Sequence, residues 1–416
     1  MRSVPILIIG GGAAGMMAAA SALSFGKRVM VVEKMNQLGK KILATGNGRC
    51  NYTNLDQRAQ FYHVDEKDDV WNVIKRFDEK KTISFFKSTG VFPKDRDGYV
   101  YPMSLQAVSL RNCLAHKIGK AEIHLEEEVI DIEKNISATG KCTGFIVKTD
   151  TDRYLAKNVI VTAGGMAAKC HGSDGTCFGM LKKLGHTIVN PVPALTWLKL
   201  EGKYTKLWAG VRAAGIIKVY DEDGNKLASE SGELQLVATG ISGIPVFQVS
   251  RYVSRRLDEN KRSYIEVDFL PEFSKDALLD EIFRRKQEDE ELEAAYILEG
   301  IVNNKLVDAV LFKTGIKRET RLKQITAAKC EEICDILKKF RTEVRETAGF
   351  DNAQVTSGGV KRSEIEFNDM SSKICPGLYL AGEIVDVDGI CGGYNLQWAW
   401  SSGYIAGMSA AGGKKQ

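Results

Sequence analysis

No apolar run in this 416-residue chain approaches the roughly 18 residues needed to cross a bilayer, which excludes an α-helical membrane span. The nine cysteines (Cys50, Cys113, Cys142, Cys170, Cys177, Cys330, Cys334, Cys375 and Cys391) include no Cys-x-x-Cys pair, and their number is odd. A disulfide scaffold is therefore not expected, and reduced thiols in a cytosolic protein fit better. The five histidines (His63, His116, His124, His171 and His186) form no HExxH or other ligand spacing, so no metal site is expected. Basic and acidic residues nearly cancel, leaving a net charge of +5, and no dense basic stripe stands out. No nucleic-acid partner is expected from that balance. Internal repeats and low-complexity linkers are absent as well. The first apolar run, Val4 to Ile9, is too short for a signal-peptide core, which points to the cytoplasm.

What remains is a composition of 44% hydrophobic and 27% charged residues, that of a soluble globular protein. At about 150 residues per domain, two or three domains are expected.

Ile6 to Ile9 read as a buried strand that ends in Gly10-Gly11-Gly12-Ala13-Ala14-Gly15. A run of small and apolar residues with helical potential follows, Met16 to Phe25. Val29 to Val32 then form a second strand, closed by Glu33. In this β-α-β pattern Gly10 permits the tight turn, Gly12 lets the backbone approach a pyrophosphate, and Gly15 lets the helix pack on the strand. The free N–H groups at the helix start suit phosphate oxygens. Glu33 is placed to accept from the hydroxyls of an adenosine ribose. A lone GxGxxG says little, but this one is framed by two strands and a correctly spaced acid.

The segment after the second strand separates FAD from NAD. Lys34 to Asn54 reads KMNQLGKKILATGNGRCNYTN, a long, basic, glycine-rich stretch for which a simple nicotinamide dehydrogenase has no need. Lys34, Lys41 and Arg49 can neutralise phosphate, while Gly46 and Gly48 allow close backbone approach. Cys50 and Asn51 lie beside these glycines.

Two further strand ends carry small residues. Val159 to Val161 run into Thr162-Ala163-Gly164-Gly165 after an antiparallel meander of Ile123 to Ile132, Phe145 to Thr149 and Arg153 to Leu155. Such residues at the end of a buried strand let a cofactor lie against the backbone, so Ala163 and Gly164 join the candidate site. Near the carboxyl terminus, Gly377 to Leu380 form a strand ending in Ala381-Gly382-Glu383. Gly389-Ile390-Cys391-Gly392-Gly393-Tyr394-Asn395 then opens a helix over Leu396 to Ala410.

These stretches (GGGAAG, TGNGRCNYTN, VTAGG, TSGGV at Thr356 to Val360, and LYLAGEIVDVDGICGGYNLQWAWSSGYIAG) resemble the HI0933-like, or BaiN-like, family of two-dinucleotide-type flavoproteins. That family includes aminoacetone oxidases and bile-acid ene reductases. The resemblance spans both ends of the chain and implies non-covalent FAD. It implies contacts from Ala13, Ala14, Glu33, Lys34, Lys41, Arg49, Cys50 and Asn51, and from the backbone of Val129 beside adenine. On the ribityl chain and ring it implies Gly382, Glu383, Gly393, Tyr394 and Asn395.

Between His186 and about Thr342 the pattern changes. Thr196 to Leu200, Val211 to Asp221, Leu234 to Val237 and Tyr264 to Phe269 alternate like strands. Helices are expected from Ser274 as N-cap, over Leu292 to Val302 and over Leu322 to Phe340. The resulting division is an α/β, Rossmann-like FAD domain (1–190 with 345–416), an inserted β-barrel-like domain (191–270 with 320–344) and a small helical subdomain (271–319). The resemblance implies that the insertion covers the flavin and supplies part of the substrate pocket. The runs Arg284-Arg285-Lys286 and Lys317-Arg318 read as solvated helix faces, and Cys330 with Cys334 as a packed pair. Gly240 to Pro245 reads equally as a pocket border or as the turn before a helix.

No Ser-His-Asp or Cys-His constellation is evident, and hydride exchange with a flavin requires none. Catalytic residues are left unassigned, with Tyr101, Asp388 and Tyr394 as candidate acids. A second GxGxxG is missing, so any NAD(P)H must dock transiently. Two enzyme readings follow: NAD(P)H-driven reduction of an activated C=C bond in a steroid or bile-acid enone, or oxidation of an amine such as aminoacetone by oxygen. A flavin redox sensor is the non-enzymatic alternative. The partner is then a small molecule; the oligomeric state is not read.

Overall fold

The run after Met1 becomes a strand, Arg2–Ile9, that pairs in parallel with Val29–Glu33 on one side and Arg153–Val161 on the other. Ile6 to Ile9 and Val29 to Val32 are almost wholly buried, the continuous apolar signature of a parallel sheet covered on both faces. In a computed structural model, residues 1–64, 69–138 and 140–413 are described. Two units emerge, Met1–Pro191 with Val355–Gln416 and Val192–Gln354. Residues 414–416 of the expected nucleotide domain lie outside the described residues. Among those described, no helix is long and apolar enough to cross a membrane.

The first unit is built on a nine-stranded sheet. From Arg2–Ile9 it continues through Val29–Glu33 to Glu122–Leu125 on one side. On the other side the strand Arg153–Val161 shares one edge between two partners. Its first half pairs antiparallel with Cys142–Thr149 of the expected meander (Phe145 opposite Ala156), and its second half pairs in parallel with Leu378–Leu380 (Val159 opposite Leu378). A strand from the carboxyl-terminal tenth of the chain thus completes the sheet begun by the amino terminus.

Two helices lie against each other above this seam, Ala13–Ser24 and Tyr394–Ala410. Residues four apart on a helix share a face, and here that face is built from glycine and alanine. A Cβ on Gly403 would stand 2.4 Å from the Ala14 carbonyl oxygen, and one on Gly407 would stand 2.2 Å from that of Ala18. The backbones therefore meet with no side chain between them, and Ser21 Oγ donates to the Tyr404 carbonyl oxygen at 2.8 Å.

The second unit contains a closed six-stranded barrel in the order Leu198–Leu200, Gly240–Ser242, Lys226–Val237, Arg212–Tyr220, Tyr264–Asp268 and Phe340–Thr347. Tyr204, Trp208, Phe269 and Phe340 form an aromatic cluster in which Tyr204 meets Trp208 and Phe340 edge-on, as Phe269 does Phe340, while Trp208 and Phe340 are tilted. Helices Lys275–Glu288, Asn304–Thr314 and Ala327–Lys338 bury Leu278, Leu306, Val310 and Ile333 in the same apolar cluster as barrel residues Ile217 and Ile265.

Sequence and structure part at three places here. The helix expected over Leu292 to Val302 is only a 3-10 turn, Ala294–Leu298. Gly300 is left-handed, and Asn303 caps a new helix by accepting from the Lys305 N–H. The helix expected from Leu322 begins at Ala327, where Thr326 caps it, and ends before Phe340, which opens a barrel strand. The strand read as Leu234 to Val237 starts at Lys226, because its first eight residues carry no buried side chain to mark it. Gly240 to Ser242 is a barrel strand and Pro245 lies in the first turn of the helix Ile244–Asp258. Arg284 and Arg285 pair with Glu281 along their own helix, and Cys330 and Cys334 are buried free thiols.

Gly407→Val is expected to lower the unfolding free energy by about 3 kcal/mol or more, since overpacking a backbone contact leaves no room to relax. Gly179→Ala, on a helix where an added Cβ meets nothing within 4 Å, is expected to raise it by about 0.5–1 kcal/mol. Urea unfolding of the two variants beside the parent checks both signs.

Candidate cofactor site

The carboxyl ends of the parallel strands gather the sequence-predicted residues. Gly10 has φ +95°, and a Cβ there would stand 2.8 Å from the Thr162 carbonyl oxygen, so the turn accepts only glycine. Its N–H donates to the Val32 carbonyl oxygen at 2.9 Å, and Thr162 Oγ1 donates to the Ile9 and Gly10 carbonyl oxygens at 2.9 and 2.8 Å. This brings Ala163 and Gly164 beside the first turn. Gly15 is pressed so closely on Gly10 that a Cβ would overlap the Gly10 carbonyl oxygen at 1.9 Å.

Gly12 is different: a Cβ there would meet nothing within 4 Å, so the turn faces open space. It is the N-cap of the helix Ala13–Ser24 and provides no side-chain cap. The N–H groups of Ala13 and Ala14 accordingly have no intrahelical acceptor and sit at the positive end of the helix dipole. Gly382, also left-handed, closes over this turn; its would-be Cβ lies 2.8 Å from Ala14 Cβ.

Glu33 is buried, and its two oxygens accept from the Gly11 N–H at 2.7 Å and the Met35 N–H at 2.8 Å. Burial raises its carboxyl above the ordinary range, and these two bonds pull against that rise. The acid read as a ribose acceptor therefore also fixes the glycine turn, with a second lone pair left on each oxygen. Val129 begins the strand Val129–Ile136 nearby, its segment tied to this corner by the Glu127 N–H, which donates to the Glu33 carbonyl oxygen at 3.1 Å.

The two lysines are paired. Lys34 Nζ lies 2.6 Å from Asp174 Oδ2, and Lys41 Nζ lies 2.7 Å from Glu383 Oε2. Glu383 Oε1 also accepts from the Thr356 N–H at 2.8 Å, while Thr356 Oγ1 accepts from the N–H groups of Met166 and Ala167 at 2.7 and 3.0 Å. The TSGGV stretch thereby joins the site through Thr356, a residue to which the sequence reading gave no role. Asp174 was missed as well; its only signal is a glycine-flanked acid after the VTAGG strand.

Farther along, the TGNGRC stretch winds tightly, with Gly46, Asn47, Gly48 and Cys50 all at positive φ. Gly48 and Arg49 are exposed. Cys50 is fully buried, which pushes its thiol up to about 12 and leaves it a packing residue. Asn51 Oδ1 is buried without a hydrogen-bond partner and stands 3.0 Å from where a Gly393 Cβ would be. Gly392 and Gly393, both left-handed, lead into the helix Tyr394–Ala410. The Asn395 side chain spans this loop, accepting from the Gly389 N–H and donating to its carbonyl oxygen at 2.8 Å each. Tyr394 OH donates to the Asp56 carbonyl oxygen at 3.0 Å. Of the other candidate acids, Asp388 lies 3.7 Å from His63 Nε2, and Tyr101 carries the Arg96 guanidinium 5.8 Å from its ring centre.

These features fit a dinucleotide with a flavin half. An uncapped helix start opens on free space between Glu33 and Gly382, and an orphaned amide oxygen lies at the far end beside Gly393. Among the described residues no three His, Cys, Asp or Glu side chains converge as metal ligands.

Comparison with known proteins agrees. The model of the HI0933-like protein Rossmann domain matches residues 4–409. The chain is 40% identical over 407 residues to a 3-dehydro-bile acid delta(4,6)-reductase of Clostridium scindens, covering 97% of this chain and 98% of that protein. It is 28% identical over 411 residues to a ribosomal RNA dihydrouridine synthase of Haemophilus influenzae, covering 97% of each. The solved 3-ketosteroid delta1-dehydrogenase of Sterolibacterium denitrificans superposes with a TM-score of 0.52 at 12% identity over the full length of both, a likeness of fold alone. The chain therefore belongs to the HI0933-like family, with the Rossmann-type FAD-binding fold of an FAD-dependent oxidoreductase.

Proposed function

We propose that this enzyme saturates a carbon–carbon double bond conjugated to a carbonyl, in an enone of the steroid or bile-acid class, with NADH or NADPH as electron donor. The observation that carries this reading is the 40% identity, end to end, with a reductase of that substrate class. When bound, FAD supplies the hydride chemistry. The backbone of Gly10 to Gly15 with Glu33 would hold its adenosine and phosphates, Lys34 and Lys41, positioned by Asp174 and Glu383, would donate hydrogen bonds to it, and Asn51 with Gly393 would flank the flavin half. No protein nucleophile is asked for, which agrees with burial pushing the Cys50 and Cys391 thiols up to about 12.

Saturating an enone also requires a proton at the carbon next to the carbonyl. Tyr394 is a poor source, because its hydroxyl is given to Asp56 and burial raises its phenol well above the usual range. We propose His63 as the source of that proton, with its Nε2 3.7 Å from a carboxyl oxygen of the buried Asp388. His63→Gln and Asp388→Asn are each expected to cut turnover about 100-fold while FAD content is retained, with the double variant little worse than either single one. Rapid-quench kinetics check this; two independent, multiplying losses would remove the assignment.

A second substrate is favoured by the full-length match to the ribosomal RNA dihydrouridine synthase. The uracil C5–C6 bond that becomes saturated in dihydrouridine is likewise conjugated to a carbonyl, so one chemistry serves both. The deciding experiment is an anaerobic visible spectrum. The flavin band should bleach with NADH or NADPH and return when a 3-oxo-Δ4 bile acid is added. Return with unmodified ribosomal RNA and not with the enone would move the assignment to RNA. A band that ignores nicotinamide and bleaches with aminoacetone would replace it by the amine oxidase reading.

A further inference from the structure

The loop after the strand Arg153–Val161 contains polar groups that the fold leaves unsatisfied. Ser173 is 4% exposed, and its Oγ has no hydrogen-bond partner. Nearby, His171 Nδ1 is also buried without one. A buried hydroxyl left unpaired costs about 1–3 kcal/mol, so two such atoms in one short loop require a reason.

Their surroundings supply it. Gly164 has φ +77°, and its would-be Cβ stands 2.8 Å from Ser173 Oγ, which brings that hydroxyl to the strand end beside the Gly10 turn. Gly172 packs on the Met35 side chain, whose Cγ lies 2.9 Å from its would-be Cβ, and Asp174 holds Lys34 at 2.6 Å. The imidazole of His171 is kept below its usual range first by burial and then by the charges of Lys40 and Lys41. It is therefore neutral near pH 7, with one ring N–H to donate. A hydroxyl and an imidazole, both able to donate, thus sit in the loop that leaves the strand end beside the Gly10 turn, with Lys34 held in that loop by Asp174 and the charges of Lys40 and Lys41 acting on His171. The chemistry that satisfies this set is an oxygen anion.

We propose that Ser173 and His171 are cofactor-binding residues that donate hydrogen bonds to the pyrophosphate of FAD, so that the loop Gly164–Gly175 forms a second wall opposite the Gly10–Gly15 turn. This rests on the FAD reading of the site. It assigns a role to a loop in which neither residue had one, and it explains why Asp174 anchors Lys34 there.

Removing an unsatisfied hydroxyl and removing a structural one have opposite effects on the empty protein. Ser173→Ala is expected to weaken FAD binding about 10-fold, read by fluorescence titration of apoprotein, while the apoprotein melts at the same temperature or higher. His171→Ala is expected to weaken binding by a similar factor. ADP, which carries the pyrophosphate without the flavin, should lose affinity in parallel. Unchanged FAD affinity in both variants overturns the inference, and so does an apoprotein melting point that falls along with affinity. Loss of FAD affinity with ADP affinity intact overturns the assignment to phosphate. Parent protein that binds no FAD overturns the cofactor reading itself, a result distinct from all of these.

Discussion

Everything at the cofactor site depends on two helices from opposite ends of the chain lying backbone to backbone. Gly403 and Gly407 meet the carbonyl oxygens of Ala14 and Ala18 at distances no larger side chain allows. Dispersion over so close a contact is collectively large, and the geometry has little play. The start of the first helix is the Gly10–Gly15 turn, proposed to hold phosphate, and the start of the last is the Gly392–Gly393 loop. Fixing one helix on the other fixes the distance between the two ends of the site.

Around that contact, buried polar groups set the loops. Gln397, wholly buried on the last helix, accepts from Thr53 Oγ1 at 2.6 Å and donates to the Phe77 carbonyl oxygen and to Thr82 Oγ1 at 2.8 and 3.0 Å. Trp400 Nε1 donates to the Tyr52 carbonyl oxygen at 2.8 Å. The segment from Asn51 to Asn54 is thus positioned by the same helix that carries Gly393. Such networks, once satisfied, specify one arrangement strongly, because any other strands the same groups without water.

The parts legible in the sequence are those whose physics is local. The Gly10–Gly15 turn could be read because a pyrophosphate turn needs glycine at fixed offsets, and the Arg2–Ile9 strand because a covered parallel strand is apolar throughout. The strand from Lys226 could not, since its first half shows no alternation. The 3-10 turn at Ala294–Leu298 was misread because apolar spacing there suits a helix, while the decision fell to Gly300 and the Asn303 cap. Ser173 and His171 were invisible for a deeper reason. An unsatisfied atom is a property of the packed molecule, and no residue type announces it.

The divided edge of the strand Arg153–Val161 has a consequence in time. The barrel unit is one uninterrupted stretch, residues 192–354, so all its strands have been synthesised before the first unit receives its last one. The nucleotide unit must wait for Leu378–Leu380 to take the second half of that edge and for the last helix to pack on the helix Ala13–Ser24. Until then its parallel strands have an open margin, the kind of exposed edge that invites wrong partners during synthesis. The insertion is therefore complete in the nascent chain while its host is still half built, and the two glycine turns of the cofactor site come together only after the helix Tyr394–Ala410 has been made.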